Sequence, residues 1–70
     1  MKYAIHARSG VFYVAFQAGS GPESAAELME LIRREDIDNI TKEVTSPMGE
    51  VWSGLWINPS DVWAIERVLS

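Results

Sequence analysis

The sequence has no cysteine, a single histidine (His6), only three prolines, and no apolar run approaching the ~20 residues of a membrane-spanning helix. Each absence excludes something. Without cysteine no disulfide braces the fold and no thiolate binds a metal, and one imidazole cannot build a histidine-rich centre. Met1–His6 reaches a turn too soon for the apolar core of a secretory leader. A soluble cytoplasmic protein is expected, with no cofactor and no metal. The chain has 70 residues, room for one small domain. Chains this short bury only about 60% of the surface their unfolded form exposes. A partner or a second copy is the remaining route to more burial.

What is present is acid, unevenly spread. The formal net charge is −4. Residues 1–21 hold Lys2 and Arg8 and no acid. Glu23, Glu27, Glu30, Glu35, Asp36, Asp38 and Glu43 then crowd into the next stretch, against Arg33, Arg34 and Lys42.

Two hairpins flank one helix. Alternation over residues 2–8 and 11–17 predicts two strands joined at Ser9-Gly10, with Arg8 opposite Val11, His6 opposite Tyr13, Ile5 opposite Val14 and Tyr3 opposite Phe16. One face then carries Tyr3, Ile5, Ala7, Phe12, Val14 and Phe16. The other carries Lys2, Ala4, His6, Arg8, Val11, Tyr13, Ala15 and Gln17. Pro22 suits a first helical position, and Ser24-Ala25-Ala26-Glu27 offers a capping box slightly later. Ala25, Leu28, Met29 and Ile32 form an apolar stripe with Leu31 on its flank, and Glu23, Glu27, Glu30, Arg33 and Arg34 fall opposite. Residues 39–45 and 51–57 form the second hairpin around a Ser46-Pro47-Met48-Gly49 turn, pairing Thr45 with Val51, Val44 with Trp52, and Ile40 with Trp56. Asn58-Pro59-Ser60-Asp61 starts either a short helix or a last strand over residues 62–69. The expected fold is α+β: one antiparallel sheet of four or five strands with the helix across one face.

The strand over residues 51–57 is apolar on both sides. With Val51, Leu55 and Ile57 assigned to the helix, Trp52 and Trp56 lie on the far face with Ile40, Val44 and Tyr13. A patch of that size needs a cover. The C-terminal segment with Trp63, a second copy of the chain, or a foreign partner could each supply it. Gly54 leaves a gap between the two indoles, either a slot for an inserted group or a bare position over which one ring folds.

Catalytic constellations are not legible. His6 sits mid-strand, Ser9 sits in a turn, and no carboxylate pair faces a common cleft. Asp36 and Asp38 lack the companion ligands and the turn glycine of a calcium loop. Pro22 removes a donor that a phosphate-binding glycine loop would need. A non-enzymatic binding protein is expected. The candidate partner-binding residues are Trp52, Trp56, Tyr13, Glu23, Glu27, Glu30, Asp36 and Asp38, on an acidic helix side and a tryptophan-rich sheet face.

The hairpin over residues 2–17, the helix after Gly21-Pro22-Glu23-Ser24 and the tryptophan-bearing hairpin over 39–57 together resemble the layout of small acidic proteins of phages and mobile elements, anti-CRISPR proteins among them. The likeness covers most of the chain in arrangement and rests on no sequence motif. It implies an inhibitor that docks on a host complex handling nucleic acid and takes the place of phosphates there. Two other readings stand beside it. Lys2, His6, Arg8 and Lys42, interleaved with aromatic rings on a sheet, would suit a nucleotide or single-stranded nucleic acid. A plain homodimer through the sheet face would suit a structural role.

Overall fold

A computed structural model describes residues 1–17, 19–34, 40, 42–46 and 48–69. The order of elements is β1 (Lys2–Ala7), β2 (Gly10–Ala15), α1 (Ala25–Arg34), β3 (Val44–Thr45), β4 (Val51–Trp52), a 3-10 turn (Pro59–Asp61) and β5 (Val62–Val68). All neighbouring strands are antiparallel, in the spatial order β4-β3-β2-β1-β5. Among the described residues the fold is a five-stranded antiparallel sheet with one helix on one face, the α+β arrangement that the alternation and the helical stripe imply.

The first hairpin turns one step earlier than expected. Its loop is Arg8-Ser9, and the ladder pairs Ala7 with Gly10, Ile5 with Phe12 and Tyr3 with Val14. Gly10 takes φ 142°, so the glycine serves the strand entry and not the turn. The slip is two residues, and side chains alternate with period two, so both face assignments survive it. Tyr3, Ile5, Ala7, Phe12 and Val14 are buried on the helix side.

The helix begins at Ala25, three residues after Pro22. Ser24 is its cap: the Glu27 N–H donates to Ser24 Oγ (3.2 Å) and the Glu23 N–H donates to the Glu27 carboxylate (2.8 Å). Two donors that the helix cannot satisfy internally are thus paired. Pro22 lies just before, with its carbonyl receiving the buried Tyr3 hydroxyl at 3.0 Å. Removing that hydroxyl strands the carbonyl, so Tyr3→Phe lowers stability by about 1–2 kcal/mol, read as an earlier urea midpoint with an unchanged slope. Leu28 and Ile32 anchor the helix, and Met29 and Leu31 pack at the edge of the core.

The second hairpin turns where expected. Ser46 O accepts from the Gly49 N–H (3.0 Å), and Gly49 holds φ 87°. Val44 pairs with Trp52 and Thr45 with Val51. The side assignment of this hairpin is corrected, however. Val44 also sits opposite Val14, and both are core residues. A cross-strand partner shares its neighbour's face, so Trp52 lies on the helix side, its ring 5.9 Å from Phe12. Val51 points the other way and stays 62% exposed. Ile40 bridges to Leu55 and not to Trp56. Ser53-Gly54 breaks the alternation, so Trp52, Leu55 and Ile57 all turn toward the core while Trp56 turns out.

The terminal segment resolves into a turn followed by a strand. Asn58 Oδ1 accepts from the Ser60 N–H (3.1 Å) and holds the 3-10 turn. β5 then pairs along β1 as an edge strand. Its register shifts between His6 and Ala7: Ala64 faces His6, Val62 faces Ala7, and Trp63 is the extra residue of a β-bulge.

Candidate functional site

Three surfaces bring chemistry-bearing side chains together. The first is the sheet face away from the helix. One row crosses all five strands: Val51, Thr45, Tyr13, Ala4 and Glu66. Val11, His6 and Ala64 flank it on one side, Ala15, Lys2 and Val68 on the other. Because of the bulge, Trp63 joins this face, where its ring lies 5.1 Å from the His6 ring. His6 Nε2 is 2.8 Å from Glu66 Oε1, an N–H to carboxylate bond for a ring protonated on that nitrogen. Lys2 Nζ sits 5.3 Å from the Tyr13 ring centre, within cation–π reach. Trp63 remains 72% exposed.

The second surface lies on the helix side but beside the helix. α1 packs against β5 and the 3-10 turn, and among the described residues Trp52, Leu55 and Ile57 pack on the core beside it. Two cavities adjoin on this side: one of about 440 Å³ by the β3–β4 turn and one of about 170 Å³ between the first hairpin turn and the 3-10 turn. They share Ser9, Phe12 and Leu55. Trp52, Met48 and Glu50 complete the larger one, and Trp56 and Asp61 help to complete the smaller. The result is one trough with an indole in each basin. The Trp52 Nε1–H donates to Glu50 Oε2 at 3.4 Å, which keeps that carboxylate at the indole edge.

The third surface is the acidic side of the helix. Glu23, Glu27 and Glu30 are exposed. Glu27, Glu30, Leu31 and Arg34 form one wall of a cavity of about 340 Å³, with Phe16, Gly21 and Pro22 opposite. Glu27 also caps the helix, so its carboxylate has a structural duty.

The expected site residues therefore separate. Tyr13, Lys2 and His6 share the open sheet face. Trp52, on the helix side of the sheet, lines one basin of the trough, and the outward-turned Trp56 lines the other. Glu23, Glu27 and Glu30 follow the helix. Arg8 is in the first hairpin turn, and Lys42 is exposed two residues before β3. Asp36 and Asp38 lie outside the described residues. Trp63, Phe12, Leu55, Glu50 and Asp61 are additions from the structure. Plain alternation puts Trp63 with Ile65 on the helix side, and only the bulge reverses it.

Among the described residues, no group of three or more His, Cys, Asp or Glu side chains could hold a metal ion, and no helix is long and apolar enough to cross a membrane. No protein-family model, curated protein or solved structure matches this chain.

Proposed function

We propose that this chain is a non-enzymatic protein-binding module, an inhibitor of the phage type that acts by docking on a host complex handling nucleic acid. The observation that carries the reading is the aromatic area left in water: Trp56 is 48% exposed and Trp63 is 72% exposed. Indoles bury much area with few rotors to freeze, which makes them effective anchors at protein interfaces. The net charge of −4 and the exposed glutamates of the helix side support a basic partner surface, where carboxylates replace phosphates and steer the encounter.

The test is affinity capture from host lysate with three proteins: wild type, the Glu23→Lys/Glu30→Lys pair, and Trp63→Ala. Glu27 is left intact because it caps the helix. Wild type is expected to retain a discrete protein complex and to inhibit its binding to nucleic acid. At least one variant loses both while keeping the wild-type circular dichroism spectrum. Unchanged capture and inhibition by both variants overturns the use of these surfaces.

One observation favours a second reading, a nucleotide or single-strand binder: Lys2, His6, Tyr13 and Trp63 share one face. That reading expects saturable quenching of tryptophan emission by oligothymidylate, lost in Trp63→Ala and weakened by salt.

A further inference from the structure

From the trough beside the helix we infer a specific ligand chemistry: it is a receptor for a cationic side chain, an arginine or lysine presented by an extended segment of the partner. The inference rests on the binding-module reading and adds to it the partner's chemistry. Three observations meet there. The two basins adjoin through Phe12 and Leu55, so a chain laid along them reaches both. Each basin carries an indole, Trp52 or Trp56, and the Trp52 ring is backed by the buried Phe12 ring, with centres 5.9 Å apart at 40°. Each basin also carries an acid, Glu50 in one and Asp61 in the other, and no Lys or Arg lines either.

Aromatic faces attract a cation through their quadrupole, and an adjacent carboxylate supplies the net counter-charge. Glu50 is already oriented by the Trp52 Nε1–H, which occupies one of its oxygens and leaves the other to accept. A planar guanidinium gains most, because it can stack on a ring and donate to the carboxylate together. Met48 at the rim is 86% exposed, a flexible side chain able to close over the aliphatic stem of either residue. An acidic segment would meet like charge at both ends. A purely apolar one would gain nothing from Glu50 or Asp61.

The experiment is a nitrogen–proton correlation titration of the whole chain with three blocked peptides, acetyl-Gly-Arg-Gly-amide, acetyl-Gly-Leu-Gly-amide and acetyl-Gly-Glu-Gly-amide. The arginine peptide is expected to shift the Trp52 and Trp56 indole N–H signals saturably and to leave that of Trp63 in place. The Glu50→Gln/Asp61→Asn variant, whose spectrum otherwise matches wild type, weakens the binding by roughly tenfold. The inference is overturned by equal binding of the leucine or glutamate peptide, by shifts confined to Trp63, or by no saturation below about 10 mM, the scale of a single weak contact. It is also overturned if the indole signals shift with protein concentration alone and the mass doubles, since the occupant is then a second copy. Loss of peptide binding with lysate capture intact removes this assignment and spares the binding-module reading. Peptide binding to the trough supports the assignment whatever the capture shows.

Discussion

Gly21→Ala destabilises the fold by about 2–4 kcal/mol, adding the ~1 kcal/mol cost of a left-handed backbone to the 1–3 kcal/mol of an overpacked site. Gly21 holds φ +86°, and a Cβ there would stand 2.5 Å from Phe16 Cδ1 and 2.7 Å from Cγ. The ring cannot simply move aside, because Phe16 is buried in the core and lies edge-on to Tyr3, 6.2 Å between centres. Tyr3 in turn is fixed by its bond to Pro22 O. A methyl group at position 21 therefore pushes on the contact that ties the loop to the sheet. Gly19 provides the control: it holds φ +81°, and a Cβ there would meet nothing within 4 Å. Gly19→Ala should cost only the backbone share, about 1 kcal/mol. Urea unfolding of the two variants separates strain from collision, and equal midpoints would refute the role given to Phe16.

Leu28→Ala has the larger effect, about 2–5 kcal/mol. Leu28 and Ile32 are the fully buried residues of a ten-residue helix. Helices that short are marginal on their own in water, so α1 is held by what it buries. Small domains hold only about 0.05–0.15 kcal/mol of stability per residue, so the loss is comparable with the whole. The expected result is a chain whose helical signal falls before its strand signal, with apolar dye binding where α1 had lain. A single shared transition at the wild-type midpoint would show that the helix is anchored elsewhere.

How much of the fold is legible in the sequence depends on whether local patterns have rivals. The faces of the first hairpin are legible, but its turn has a rival, Arg8-Ser9 against Ser9-Gly10, two steps of register apart with the same faces. The helical stripe has none, since Leu28 and Ile32 fall on one side of a 3.6-residue period. The Ser46–Gly49 turn and its first pairings are legible for the same reason, since glycine in a left-handed position constrains the chain locally. The segment over residues 51–57 is not. Both of its alternations are apolar, so periodicity alone cannot choose a side, and Ser53-Gly54 shifts the phase within it. The buried pairing of Val44 with Val14 makes the choice, a contact between residues thirty positions apart. The trough is illegible for that reason: its walls come from β2, from β4 and from the segment before β5. Alternation alone puts Trp52 on the wrong side of the sheet.

The bulge in β5 has a consequence for how that strand tolerates editing. Val62 already faces Ala7 and Ala64 already faces His6; excising residue 63 alone would therefore close the ladder into an uninterrupted run. As far as the backbone network is concerned, the tryptophan is a one-residue insertion. It disturbs the rung spacing and lends the interior nothing, while its indole is delivered to the outer side.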